Sequence, residues 1–349
     1  MKRANPSMPA QMPAMLADAS GWQLDWAHGS AQVQALGGML GPVDFRLADG
    51  RRFQPFYVAP WQPDPALPGL LQRMRGEWPC VPFTRNRTPE SIPPGWQALP
   101  DTAPQRSDAI HGHCSNQRWR LIEAEPGRLL LGFADYPAES PIASLRREIR
   151  ADPDAPRLWL SLDILPRCDV TLPLALHPTF RLPDAAGQLH LQLPHYRSVH
   201  TYPFAFEPCS RLPADVSAAR LNAMPAAGGT LDLSRLPLAE PTEELVQVKD
   251  VAGSALLDYL DEGVRVALDW DAHALPDLVL WLSNGGRTQA PWLGRNRALG
   301  VEPVNGVFEL GGVMQPLPGH PLAARKGVAL RKGIPLQIKY SIGVAKIPA

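Results

Sequence analysis

The chain has 349 residues, long enough for one large β domain or two ordinary ones. Its 34 basic and 34 acidic residues cancel, so no electrostatic footprint points to nucleic acid or to an anionic membrane. No window approaches the uninterrupted apolar length a bilayer span requires, and the opening Met1-Lys-Arg is followed by proline-broken sequence without an apolar export core. A soluble, cytoplasmic protein is therefore expected. Cys80, Cys114, Cys168 and Cys209 are scattered and form no C-x-x-C pair, so neither a zinc knuckle nor a disulfide framework is indicated. Forty prolines disfavour long helices and suit short strands joined by turns.

Residues 1 to about 20, rich in Met, Pro and Ala, read as a loose arm; the rest, 21–349, reads as a single domain. Val43, Phe45 and Leu47 alternate up to Asp49-Gly50 and are answered by Phe53, which predicts a hairpin. Trp61 to Pro68 reads as an irregular loop, and the short apolar stretch after Glu77 ends in Arg85 and Arg87. His111 and His113 flank Gly112; in a strand both rings would share a face, but a metal would need a third ligand that the neighbourhood does not supply. Hairpins are expected across Pro126-Gly127 and across Asp152-Pro153-Asp154. Leu172, Leu174 and Leu176 alternate and end at His177, placed where a strand leaves the core for solvent. There a histidine suits proton transfer at neutral pH, although one hydrogen-bonded at a core edge would read the same way.

Residues 200–240 read as long loops on one face. Alternation returns at Val264, Val266 and Leu268 and at Leu278, Leu280 and Leu282, with Trp281 on the opposite face. The stretch Leu299-Gly-Val-Glu-Pro303 carries one carboxylate, Glu302, in an apolar strand end. The last strand follows Ile334, Leu336, Ile338, Tyr340 and Ile342. With no internal repeat and no sustained helical period, the class is all-β, mostly antiparallel with few short helices. No phosphate-binding loop, dinucleotide-binding glycine fingerprint or nucleophile elbow is present, which sets aside nucleotide-driven and common serine-hydrolase chemistry.

The set His111-Gly112 with Trp119, Leu176-His-Pro-Thr-Phe180, Pro276-Asp-Leu-Val-Leu-Trp281 and Gly300-Val-Glu-Pro303, in this order, resembles the aldose 1-epimerase (galactose mutarotase-like) family over residues 25–345. The resemblance implies a large antiparallel β-sandwich, a supersandwich, with a sugar groove on its concave face. It assigns His177 as general acid, Glu302 as general base, and His111 and Arg85 as substrate-binding residues, with Arg87 competing for the place of Arg85. The family's substrate-contacting aspartate finds no unique match among Asp250, Asp269 and Asp271. The implied reaction interconverts the α and β anomers of an aldose or related sugar by ring opening, with no cofactor and no metal. A charged His177, favoured by a nearby carboxylate, is expected to protonate the ring oxygen while Glu302 takes the anomeric proton. The partner is a small-molecule sugar; the sugar's identity and the oligomeric state are left open. Two alternatives stand beside this reading: a non-enzymatic carbohydrate-binding protein on the same scaffold, and a glycosidase- or lyase-related sandwich.

Overall fold

A computed structural model describes residues 10–348. Alternating apolar residues build two large antiparallel sheets. The nine-stranded sheet runs, in spatial order, Arg235–Leu236, Leu189–Gln192, Ser254–Tyr259, Val264–Trp270, Leu336–Lys346, Arg157–Pro166, Ile142–Ala151, Arg128–Phe133 and Arg120–Glu125. The second sheet has eight strands, ordered Ser217–Ala218, Ser198–Thr201, Thr242–Lys249, Asp277–Asn284, Arg297–Asn305, Leu174–Leu176 and Pro79–Cys80, with Thr179–Arg181 also pairing along Arg297–Asn305. A five-stranded sheet from Ala14–Met15 to Arg52–Phe53 lies at the N-terminal end.

Period-2 patterning decides what each face does. Leu158, Leu160, Leu162 and Ile164 from the first sheet join Leu278, Leu280, Leu282, Leu299 and Val301 from the second in one core, together with Leu24, Val33 and Phe45 of the N-terminal sheet. The opposite face of the eight-stranded sheet carries a separate cluster that includes Trp78, Cys80, Ala175, Val279, Trp281 and Val304. That face is not left to solvent, because Phe83, Tyr202, Trp292 and Phe308, from the connecting loops, close over it.

The expected hairpins form at Phe45 with Phe53, at Leu121 with Leu131, and at Ile149 with Leu160. Three readings need correction. His111-Gly-His113 is not a strand: His111 and Gly112 have φ of 60° and 83°, and a short helix begins at His113. A Cβ at position 112 would stand 2.4 Å from the Val81 carbonyl oxygen, so glycine is required there. Second, Leu172 and Leu174 belong to different strands, in different sheets, broken at Pro173. Third, part of the expected loose arm is structured, since Ala14 and Met15 pair with Gln23 and Trp22; residues 1–9 lie outside the described residues.

Candidate active site

The site grows from strand register. Ala175 pairs with Val304 and Thr179 with Gly300 across the same neighbouring strand, so both pairings put position 177 opposite position 302. The His177 N–H donates to the Trp78 carbonyl at 2.9 Å, Thr179 N–H to that of Gly76 at 2.8 Å, and Val301 N–H to that of Pro178 at 2.8 Å. Held from both sides, the histidine ring stands on the face away from the main core, stacked on Trp78 at 4.1 Å between centroids. Its Nε2 lies 3.3 Å from Glu302 Oε1. A residue at the open end of a strand was expected, but the His177 side chain is only 5% exposed and that of Glu302 2%. Trp281 of the strand Asp277–Asn284 and the loop residues His111 and Phe83 supply the cover, their rings near-perpendicular to that of His177 at 6.3, 5.2 and 6.5 Å.

Burial sets the protonation. It pushes His177 well below the ordinary imidazole range, reinforced by His111, and pushes Glu302 well above the carboxylate range, reinforced by the charge of Glu309. The Thr179 hydroxyl is 3.4 Å from the His177 carbonyl, to which it donates, and 3.1 Å from Nδ1. Both shifts favour the uncharged forms, an imidazole and a carboxylic acid, over the imidazolium and carboxylate expected from charge attraction alone.

Glu302 owes its place to a missing side chain. A Cβ at Gly300 would lie 2.3 Å from Glu302 Oε1 and 3.2 Å from Trp281 Cβ, so the carboxyl group folds back over the glycine.

His111 stacks on Phe83 at 5.2 Å, and burial followed by the charge of Arg85 lowers its pKa to about 4. Its Nδ1 is buried with no hydrogen-bond partner. Arg85 is exposed overall, yet its Nη1 donates to the Tyr202 hydroxyl at 3.3 Å, and that hydroxyl donates to Glu309 Oε1 at 2.7 Å. The four residues singled out in the sequence thus meet at one place. Arg87 is exposed beside it. His113 turns away to Asp108, 3.0 Å off, and among the described residues no group of three His, Cys, Asp or Glu is arranged to hold a metal ion.

The three candidate aspartates have other engagements. Asp250 pairs with Arg325, Asp269 lies on the other large sheet 3.5 Å from Arg157, and Asp271 accepts the His273 N–H at 2.9 Å. The buried acid on the site face is instead Glu243. Its strand pairs Glu243 with Ser283 and Leu245 with Trp281, which sets it two residues along the same face as Trp281. Glu243 Oε1 accepts the Ser283 hydroxyl at 2.7 Å, and its Oε2 is 3.8 Å from Arg287 Nε. Two adjacent glutamates near the start of the strand Thr242–Lys249 were the available sequence signal.

The comparisons divide sharply between sequence and shape. No protein-family model matches the chain, and neither does any curated protein. Solved structures do. The Slr1438 protein from Synechocystis sp. PCC 6803 superposes with a TM-score of 0.62 at 15% identity, covering 99% of this chain and 100% of that one. A galactose mutarotase-like protein from Lactobacillus casei ATCC 334 gives 0.59 at 15% identity over 92% and 99%. The fold is galactose mutarotase-like. The GalM/aldose epimerase homologue from C. elegans superposes with a TM-score of 0.59 at 12% identity over 92% of this chain and 97% of that one.

Proposed function

We propose that the chain is an aldose 1-epimerase that interconverts the α and β anomers of a sugar, with His177 and Glu302 as its acid–base pair. The observation that carries this reading is the 3.3 Å separation of His177 Nε2 and Glu302 Oε1 in a buried setting on the mutarotase-like scaffold. Ring opening acts on two oxygens bonded to one carbon: the anomeric hydroxyl gives up a proton and the ring oxygen takes one. Two groups this close suit two oxygens that close.

Shifting the pair's proton from Glu302 to His177 creates the working form, a carboxylate that accepts the anomeric proton and an imidazolium that protonates the ring oxygen. The C1–O5 bond breaks as the carbonyl forms at C1. Rotation about C1–C2 presents the other face, and closure returns both protons with the roles exchanged. His111 and Arg85 at the rim bind hydroxyls, and Glu243 supplies the buried acid that contacts the substrate. Trp281 offers an aromatic edge beside the ring.

The test is optical rotation or NMR of freshly dissolved α-anomers from a panel of hexoses and pentoses. Acceleration of equilibration by the protein is expected. If no sugar equilibrates faster yet some raise the melting temperature, the scaffold binds carbohydrate without catalysis.

A further inference from the structure

We propose, resting on the acid–base pair assigned above, that Trp78 is a positioning residue for the reaction: its indole face, laid against the His177 ring, stabilises the imidazolium that His177 must become. The aromatic rings around His177 are not equivalent. Those of His111, Trp281 and Phe83 stand at 75°, 74° and 80° to it, whereas that of Trp78 lies at 18° with the centroids 4.1 Å apart. A near-parallel ring at that separation presents its electron-rich face to the imidazole. This is the arrangement in which an aromatic ring attracts a cation, and indole attracts most strongly. The attraction acts on the charged form alone, so it biases the pair's proton toward His177.

The backbone holds the stack from both sides of Trp78. His177 N–H donates to the Trp78 carbonyl at 2.9 Å, Leu176 pairs with Pro79, and Glu77 exchanges two backbone hydrogen bonds with Leu40, at 2.8 and 2.9 Å. The Trp78 side chain is fully buried, and its Nε1 has no hydrogen-bond partner. A buried N–H without an acceptor is costly, and phenylalanine would avoid it, so π surface is what an indole brings to this position. Little else beside His177 favours a cation. Glu302 faces Nε2 at 3.3 Å, and the uncharged Thr179 hydroxyl lies 3.1 Å from Nδ1. On the other elements packed there, His111 has a pKa of about 4 and is neutral at pH 7, while burial pushes the Cys80 thiol up and keeps it protonated. Glu309 acts on Glu302, and Arg85 acts on His111, so both reach His177 at second hand. When Glu302 accepts the anomeric proton, the imidazolium loses its counter-charge. The indole face does not titrate, and it remains.

The experiment replaces Trp78 alone with mono-, di- and trifluorotryptophan, which keep the shape of indole while draining negative charge from its face. It measures kcat and KM for anomer interconversion, and follows the NMR shift of the His177 ring across pH. The value of kcat should fall with each added fluorine, by about tenfold over the series, while KM and the melting temperature stay close to wild type. A kcat that does not follow fluorination would overturn the inference, because packing is preserved in every member of the series. Should no sugar be turned over, the NMR titration separates the two claims. A His177 pKa that falls along the series upholds the role of the stack while the isomerase reading fails. A pKa unmoved by fluorine, or a ring that is neutral wherever the protein is folded, overturns the inference as well.

Discussion

At the scale of single residues, the site depends on one proton shared by two buried groups. Adding a second proton removes the base, and losing the last removes the acid, so the rate should follow a bell whose limbs belong to the pair. Burial lowers His177 and raises Glu302, which moves the acid limb below the ordinary histidine value and the basic limb above the ordinary glutamate value. The pH–rate profile of mutarotation should therefore show its acid limb below the ordinary imidazole range and its basic limb above the ordinary carboxylate range. An acid limb at the ordinary imidazole value, or a basic limb at the ordinary carboxylate value, would mean that the pair is not insulated as described. Gly300 makes a second prediction at this scale. Gly300→Ala should drive the Glu302 carboxyl group from its place and lower kcat by about a hundredfold while substrate affinity changes less, because a displacement of an ångström at the reacting group is enough. Unchanged kcat in steady-state mutarotation assays would show that the carboxyl position is not critical. His177 and Glu302 stood out in the sequence as lone ionisable groups among apolar neighbours. The function of Gly300 did not, because it depends on a side chain two residues on folding back over it.

Between elements, a buried polar contact ties the nine-stranded sheet to the segment that leads into Pro79–Cys80 of the second sheet. Arg147 lies on the inward face of its strand between Leu145 and Ile149, and its guanidinium pairs with Glu77, both side chains being 0% exposed. The Tyr340 hydroxyl donates to Glu77 Oε1 at 2.8 Å, while Arg147 Nε and Nη1 have no partner. Glu77 directly precedes Trp78, on which His177 stacks, so this tie anchors the floor of the site to the opposite layer. Truncating one partner strands a buried charge. Arg147→Met should cost about 3–5 kcal/mol in urea unfolding, whereas Arg147→Met combined with Glu77→Leu should recover most of that loss. Additive losses in the double variant would show that the two side chains do not act as a pair. Period-2 patterning revealed the strands of Leu145–Ile149 and Leu158–Leu162, but it marks an inward arginine as an error in the pattern. Only the partner from a segment 70 residues away accounts for it.

For the whole molecule, alternation and the scarcity of helix signals were sufficient to place the chain among the antiparallel all-β folds, and the shape agrees with a galactose mutarotase-like structure at 15% identity. What local pattern could not show was where long-range register brings residues together. His177 and Glu302 meet because two short strands flanking Pro178 pair with the same partner strand. His111 joins them through a left-handed turn rather than the strand its H-x-H spacing implied. Glu243, Arg287 and Tyr202 come from strands and loops whose shared face exists only once the eight-stranded sheet is assembled and its outer side roofed.

The most direct test of the acid–base assignment compares wild type with Glu302→Gln in mutarotation, sugar affinity and thermal unfolding measured on the same preparations. The amide is nearly isosteric but can neither accept nor deliver the pair's proton. The rate should fall by about 10²–10⁴-fold, with affinity and melting temperature close to wild type. Wild-type mutarotation in the Glu302→Gln protein would contradict the assignment of Glu302 as the base, and with it the proton-sharing pair on which this mechanism rests.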